Sequence, residues 1–281
     1  MIIDFHTHVF PPRIKNNRSR YIDSDPCFAI LCSDKKSEIA TAEELIDSMD
    51  RDGIDVSVIV NLGWTTHELC VETNDYILES IARYPQRLIG FCAVQPQSYE
   101  AAIAEIERCA RGGIRGVGEM RPDTQLFDLA DVELMQPFVE TLRKHRLILL
   151  THTSEPIGHN YPGKGNITPD TLYPFITSFP DVTIVCAHWG GGLPFYALMP
   201  EVKQAMKNVY FDTAASPFLY SPHVYQQVSQ LVGADRILFG SDYPLLAQNR
   251  LLQEINHADL PEEERNLILS GNARRLLDIE I

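Results

Sequence analysis

The chain has 281 residues and a mass of 31.8 kDa, with 44% hydrophobic and 22% charged residues. This composition is typical of a folded globular protein and argues against intrinsic disorder. The formal net charge of −14 disfavours nucleic acid and anionic membranes as partners, because like charges repel.

Short apolar runs alternate with longer amphipathic stretches along the whole chain. The runs are rich in Ile, Val, Leu and Phe and lack polar alternation, which predicts strands buried on both faces of a parallel sheet. They span residues 2–5, 56–60, 88–94, 114–117, 147–150, 182–187, 209–211 and 237–239. Apolar residues at three- and four-residue spacing predict helices over 42–51, 68–83, 99–111, 132–145 and 222–232. Three shorter stretches, 251–255, 262–269 and 273–277, predict closing helices after the last strand.

Eight strands followed by helices, with no linker between them, predict an α/β fold of the (β/α)₈ TIM-barrel type, a single domain over residues 1–281. A doubly wound open sheet is the alternative, but no glycine fingerprint follows the first strand. Two long irregular segments, 11–40 and 153–169, follow strands 1 and 5. We therefore expect both segments on the face where barrel loops build a site.

Polar side chains follow five of the predicted strands at their carboxyl ends. His6 and His8 end the first strand, and residues two apart on a strand point to the same side. Two converging neutral imidazoles suit zinc or a similar divalent metal. The other four strand ends carry Glu119, His152, His188 and Asp242. Barrel enzymes keep their catalytic groups at this face, and a metal ion would compensate the burial of so many polar groups.

Together these motifs resemble the amidohydrolase superfamily, in particular the branch related to aminocarboxymuconate-semialdehyde decarboxylase. The resemblance rests on Asp4-Phe5-His6-Thr7-His8, His152, the segment Ala187-His188-Trp189-Gly190-Gly191, and the segment Phe239-Gly240-Ser241-Asp242-Tyr243-Pro244. It implies a metal-dependent TIM barrel. It further implies that the metal ligands are His6, His8, His152 and Asp242, and that His188 is the catalytic or substrate-polarising histidine.

Glu119 admits three interpretations. It can bridge a second metal or act as a ligand, hold a ligating histidine in its tautomer, or pair with Arg121. In two-metal members of the wider superfamily a carboxylate at this strand end bridges the ions, whereas the decarboxylase branch works with one metal. The number of ions, one or two, therefore stays open, and zinc is the expected metal.

The same cluster supports two reactions. A metal-bound water is acidic enough to attack an ester, lactone or amide, with Asp242 moving its proton and His188 stabilising the charge that grows on the substrate oxygen. We take hydrolysis of a small acidic molecule as the primary expectation. The alternative is non-oxidative decarboxylation of a small unsaturated or aromatic acid, with His188 or Asp242 protonating the carbanion.

Further expectations concern the substrate, the location and the assembly. Arg121, Trp189 and Tyr243 neighbour the candidate site residues and are candidate substrate contacts. No apolar run approaches the roughly 20 residues of a transmembrane helix, and the N-terminus lacks a secretory-signal pattern. Six irregularly spaced cysteines do not suit a disulfide framework. We therefore expect a cytoplasmic protein that acts on a small molecule, without nucleic acid or membrane partners, and that forms a homodimer or stays monomeric.

Overall fold

A computed structural model describes residues 1–279 and shows one parallel sheet of eight strands in sequential order. The strands are β1 (Ile3–Thr7), β2 (Val56–Ile59), β3 (Leu88–Cys92), β4 (Gly116–Met120), β5 (Ile148–Thr151), β6 (Ile184–Cys186), β7 (Val209–Asp212) and β8 (Ile237–Leu238). Backbone hydrogen bonds from Phe5 N to Phe239 O and from Asp242 N to His6 O join β8 to β1. The predicted (β/α)₈ barrel is therefore confirmed; the predicted domain extends two residues beyond the described range.

Helices surround the sheet. They are α1 (Pro12–Asn16), α2 (Arg18–Ser24), α3 (Pro26–Cys32), α4 (Ala42–Asp52), α5 (His67–Arg83), α6 (Glu100–Arg111), α7 (Pro122–Gln125), α8 (Val132–His145), α9 (Pro169–Ser178), α10 (Ala187–Gly190), α11 (Pro200–Ala205), α12 (Ser216–Leu219), α13 (His223–Val232), α14 (Gln248–His257), α15 (Glu262–Asn266) and α16 (Asn272–Leu277). The segment α10 is a single tight turn, not a regular α-helix, because His188, Trp189 and Gly190 have left-handed backbone angles. The five amphipathic stretches match α4, α5, α6, α8 and α13 to within one residue at each end. Among residues 1–279, no helix combines the length and the apolar character needed to cross a bilayer.

The residues of the strands are almost all buried, as expected for a sheet covered on both faces. Inside the ring, Phe5 of β1 and Phe91 of β3 meet edge to face with their ring centroids 5.8 Å apart. A second apolar layer fills the space between the strands and the outer helices. This packing closes the barrel interior and leaves only the carboxyl ends of the strands for polar chemistry.

Two predictions about connections were incomplete. The segment 11–40, expected to be irregular, contains α1, α2 and α3, which are five to seven residues long. Helices this short show too few turns for a periodic pattern to be recognised. Helix α9 was not predicted, and its interior Pro174 and two aromatic residues obscure the amphipathic pattern. In contrast, the second segment has no helix before Pro169, as expected.

Candidate metal centre

The end of β1 brings two imidazoles together. The Nε2 atoms of His6 and His8 are 3.1 Å apart. The pairing of β1 with β2 shifts register between Asp4 and Thr7, so an irregularity in the strand coincides with His6. Such irregularities re-aim side chains near active sites. The sequence prediction that these histidines share one side of the strand agrees with this distance.

Two carboxylates face the same pair of histidines. Glu119 Oε2, from β4, lies 3.7 Å from His6 Nε2 and 3.5 Å from His8 Nε2. Asp242 Oδ1, which follows β8, lies 3.8 Å and 3.4 Å from the same two nitrogens. Side chains from three strands thus converge on one point at the carboxyl end of the barrel. The register of β4 against β5 also shifts next to Glu119, between Val117 and Met120.

The second oxygen of Glu119 faces another pair of histidines. His152 Nδ1 donates to Glu119 Oε1 at 2.9 Å, and His188 Nε2 lies 3.4 Å from the same oxygen. The hydroxyl of Ser154 is 3.2 Å from His152 Nε2. The resemblance implied that His152 ligates together with His6, His8 and Asp242. In the structure the His152 ring contacts Glu119 Oε1. The other oxygen of Glu119, Oε2, is the one that lies beside His6 and His8.

Asp212, at the end of β7, accepts hydrogen bonds from two histidines of the cluster. Its Oδ2 accepts a 2.8 Å hydrogen bond from His6 Nδ1, and its Oδ1 accepts one of 2.8 Å from the backbone N–H of His188. Sequence reasoning missed Asp212, although it ends a predicted strand just as Glu119 does. His188 Nδ1 donates to the carbonyl of Ala214 at 3.1 Å, which directs Nε2 towards Glu119. That backbone contact has no signal in the sequence.

The carboxylates of the cluster are held in their ionised forms. Burial alone would raise the pKa of Glu119, but hydrogen bonds from His152, His188 and His6 hold it well below its usual value. Burial likewise opposes ionisation of Asp242, but the hydrogen bond from His8 and the neighbouring histidine charges lower its pKa to about 2. Two buried anions therefore need positive charge in their immediate surroundings.

The histidines of the cluster have divergent proton affinities. Burial lowers the pKa of His188, yet the hydrogen bond to Glu119 and the charge of Asp242 raise it overall to about 9. Burial also opposes protonation of His6, but Asp212 and Glu119 hold its pKa well above 6.5. For His152, burial and the charge of Arg121 lower the pKa to about 4 despite Glu119. Different histidines of one cluster are thus suited to donating and to accepting.

The donor set fits a divalent metal ion. Because Asp212 accepts the proton on His6 Nδ1, Nε2 is the His6 atom that faces His8, and it would ligate a metal once it releases its own proton. Ligand atoms about 2.0–2.2 Å from a common ion lie roughly 3.4 Å apart in tetrahedral geometry, close to the spacing of these donors. His6, His8 and Glu119 form one group of candidate ligands, and Glu119, His152 and His188 form another. The residues therefore fit the metal that the sequence motifs imply.

The three candidate substrate contacts lie in different surroundings. Trp189 is fully buried, its indole N–H donates to Ser216 Oγ at 3.0 Å, and it belongs to the core. The backbone angles of His188 and Trp189 are both left-handed. The hydroxyl of Tyr243 donates to the carbonyl of Glu44 in α4 at 3.3 Å. Neither hydrogen bond engages the cluster, whereas Arg121 lies buried beside it and pairs with Asp123, not with Glu119.

Comparisons with known proteins show which proteins this chain is similar to. The 2-amino-3-carboxymuconate-6-semialdehyde decarboxylase of Dictyostelium discoideum is 22% identical over 99% of this chain and 92% of its own length. The γ-resorcylate decarboxylase of Polaromonas sp. is 23% identical over 76% of this chain and 77% of its own length. The crystal structure of 5-carboxyvanillate decarboxylase from Novosphingobium aromaticivorans, complexed with manganese and 4-hydroxy-3-methoxy-5-nitrobenzoic acid, superposes with a TM-score of 0.79. It is 20% identical and covers 99% of this chain and 96% of its own.

The activities named for these three proteins correct our primary expectation, which was hydrolysis. All three similar proteins are decarboxylases, so the prediction of an ester, lactone or amide hydrolase is wrong. The cluster alone did not decide between the two reactions, because the same metal ligands and proton carriers serve both. The predicted resemblance to the decarboxylase branch is confirmed. A family model described as Amidohydrolase (Amidohydro_2) matches residues 3–279, and the chain belongs to this family.

Proposed function

We propose that the protein is a metal-dependent, non-oxidative decarboxylase of a small aromatic or unsaturated carboxylic acid. The observation that carries the proposal is the convergence of His6, His8, Glu119 and Asp242 at one end of the barrel, with His188 directly beside them. The decarboxylases among the similar proteins support the choice of reaction. The six cysteines are unpaired and buried, which supports a reducing, cytoplasmic location.

We assign the metal to His6, His8, Glu119 and Asp242, with His152 holding Glu119 from the other side. Zinc was the expected ion, but the manganese in the 5-carboxyvanillate decarboxylase structure supports manganese in this chain as well. When bound, the ion supplies the positive charge that holds an anionic substrate and withdraws electrons from it. Two imidazoles and two carboxylates are ligands that manganese accepts.

His188 is the proton donor in this proposal. Its Nδ1 is occupied by the carbonyl of Ala214, so Nε2 is the atom that faces the cluster. The bond between the substrate carbon and its carboxylate breaks, the electron pair stays on that carbon, and carbon dioxide leaves. His188 Nε2 delivers a proton to the carbon and regains one from water. Burial of the cluster excludes bulk water from the reacting carbon.

The test uses the manganese-loaded chain and γ-resorcylate and 5-carboxyvanillate as probes, measured in D₂O. We expect release of carbon dioxide and one deuterium on the carbon that lost it. His188→Asn should lower kcat by about 10²- to 10⁴-fold, the usual contribution of a general acid. Asparagine tolerates the left-handed backbone of this position, where φ is 55°.

His223→Asn, which changes an exposed histidine on α13, is the matched control and should retain full activity. Turnover that survives His188→Asn would remove His188 from the proposal. Substrate consumption without carbon dioxide would refute the reaction itself.

A further inference from the structure

Arg121 is a buried cation at the edge of the candidate site. It stands two residues after Glu119 in the chain, directly beyond β4, and its side chain is 1% exposed. Gly63 lies so close that a Cβ atom there would be 2.7 Å from Arg121 Cβ. The chain thus makes room for a large charged side chain in a place where burial of a cation is costly.

The buried guanidinium of Arg121 has fewer hydrogen-bond partners than it has donors. Nη2 donates to the carbonyl of Gly163 at 2.8 Å and to Asp123 Oδ2 at 3.3 Å. Arg121 Nε is buried without a hydrogen-bond partner, and so is Asp123 Oδ1. A structural Arg–Asp pair would be expected to close both contacts in a bidentate pair. The pair is instead joined by one long contact, and a planar donor capable of binding an anion remains available.

The segment that covers His152 also contacts Arg121. Gly163 supplies the carbonyl that Nη2 reaches, and the backbone N–H of Gly165 donates to Ser154 Oγ at 2.9 Å. Ser154 Oγ in turn lies 3.2 Å from His152 Nε2. A Cβ atom on Gly165 would stand 3.2 Å from Arg121 Nη2, so glycine keeps the space beside the guanidinium clear. Arg121 therefore borders the same cluster that holds the proposed metal.

We propose that Arg121 binds a second carboxylate of the substrate, so that the substrate is a dicarboxylic acid. One carboxylate leaves as carbon dioxide, and the other, paired with Arg121, stays in the product. This inference rests on the proposed decarboxylation, and it selects dicarboxylates over monocarboxylates within the acids that such an enzyme accepts. Asp123 is the internal counter-ion that Arg121 holds before substrate enters.

The test measures binding by calorimetry to the manganese-loaded chain, with 4-hydroxyisophthalate and salicylate as probes that differ by one carboxylate. A buried charge-assisted pair predicts on the order of 10- to 100-fold tighter binding of the dicarboxylate. Arg121→Met should abolish this preference and leave salicylate binding unchanged. Arg143→Gln removes an arginine that pairs with Asp181 on the surface, and this control should keep the preference.

Asp123→Asn is a second test that leaves Arg121 in place, and it applies even if Arg121→Met fails to fold. Without the Asp123 carboxylate that pairs with it, Arg121 should bind 4-hydroxyisophthalate several-fold more tightly, with salicylate unaffected. Equal weakening of both probes by Arg121→Met, or a preference unchanged by both variants, would overturn the inference. If the preference follows Arg121 but no carbon dioxide forms, the anion site stands and the proposed reaction fails. If carbon dioxide forms but the preference ignores Arg121, only this inference fails.

Discussion

At the scale of single residues, Asp212 governs how the metal donors are presented. One oxygen accepts the Nδ1 proton of His6, and the other accepts the backbone N–H groups of His188 and Ala214. A single buried carboxylate therefore fixes the tautomer of one histidine and the backbone of another. A residue that orients a metal ligand in this way contributes substantially to metal affinity.

Asp212→Asn tests this role. The amide can turn its NH₂ group towards His6 Nδ1, which would move the ring proton to Nε2 and remove the lone pair from the metal side. We expect manganese affinity to fall by about 10- to 100-fold, measured by competition with a chelator. Asp181→Asn, an exposed aspartate, should leave the affinity unchanged. An Asp212→Asn variant with native affinity would show that the tautomer is set by another contact.

Glu119 decides how many ions the site holds. Its two oxygens face two different histidine pairs, but His188 Nε2 cannot both ligate a metal and deliver a proton. We therefore expect one manganese per native chain and weaker binding, without a change of stoichiometry, in Glu119→Gln. Metal content determined by mass spectrometry on dialysed protein measures both. Two ions in the native chain that fall to one in the variant would establish a bridged pair instead.

Site residues were predictable where they end apolar strands. His6, His8, Glu119 and Asp242 follow this rule, and Asp212 obeys it as well and was overlooked. The side of Glu119 that each histidine faces was not predictable, because register shifts in β1 and β4 alter side-chain direction locally. Trp189 was predicted as a candidate substrate contact because it adjoins His188 in the sequence. In the structure its indole is fully buried in the core.

At the scale of elements, a buried polar network ties α5 and α6 to the end of β3. Asn74 of α5 donates to the carbonyl of Ala93 at 2.9 Å and to Glu105 Oε1 at 2.7 Å. The N–H of Ala93 donates back to Asn74 Oδ1 at 2.7 Å. On α6, Glu105 accepts two hydrogen bonds from Arg108, at 2.8 and 2.7 Å. The hydrogen bonds from Asn74 and Arg108 to Glu105 are strongest when its carboxylate is ionised.

Glu105→Gln should therefore destabilise the barrel by about 2 kcal/mol at pH 7, since hydrogen bonds to a charged group are lost. Burial would raise the pKa of Glu105, but Arg108 and Asn74 bring it below 4.5. A lowered folded-state pKa stabilises fully above the unfolded-state value and loses this effect as the pH falls through the folded-state value. The difference between native and variant should thus shrink below about pH 4.5.

Urea unfolding from pH 7 down to about pH 3 measures this difference. Glu140→Gln, an exposed glutamate on α8, should leave the free energy of unfolding unchanged at every pH. A difference for Glu105→Gln that stays constant with pH would show that packing, not charge, carries its effect.

Strands and helices were predictable where their burial produces a recognisable pattern of apolar residues in the sequence. The strands are covered on both faces, so their apolar runs identify them, and long amphipathic helices such as α4 carry clear signals. Helix α4 also begins with a capping box between Thr41 and Glu44 and ends at a left-handed Gly53. Short helices such as α1 to α3 depend on tertiary contacts for their stability, and the sequence alone does not show those contacts.

At the scale of the whole molecule, an exposed apolar surface lies beyond β6 and β7. It consists of Phe195, Tyr196, Leu198, Met199 and Phe218, exposed by 40%, 47%, 79%, 46% and 47%. Tyr220 links its two parts, because its ring centroid lies 5.9 Å from that of Phe195. Monomeric proteins rarely expose contiguous apolar patches of more than a few hundred Å². This surface favours the homodimer among the assemblies that the sequence left open.

We expect the chain to sediment as a dimer and the Leu198→Glu, Met199→Glu double variant to sediment as a monomer. Two buried carboxylates at an apolar interface would each carry a large desolvation cost. Leu126→Glu provides the control, because Leu126 is 77% exposed but lies outside this surface. A monomeric native chain, or a dimer that survives the double variant, would assign the surface to something other than self-association.

The proposed metal also joins the first and last strands, where the ring of strands closes. Strand β8 has only two residues, and Asp242 beyond it faces the histidines of β1. An ion bound by both would clamp the point where the ring closes. Because the unfolded chain has no such site, binding stabilises the fold by about 2.7 kcal/mol at 100 times Kd. For a domain of this size that corresponds to a rise in Tm of roughly 5 °C.

We therefore expect Tm to rise with the logarithm of free manganese concentration and to fall when a chelator removes the ion. His8→Asn should flatten this dependence, because it removes one ligand, whereas His223→Asn should preserve it. Protons compete with the metal for the ligand atoms, so the dependence should also weaken as the pH falls. A Tm that stays constant while metal content rises would mean that the ion binds folded and unfolded chains alike, and the clamp across β1 and β8 would then be refuted.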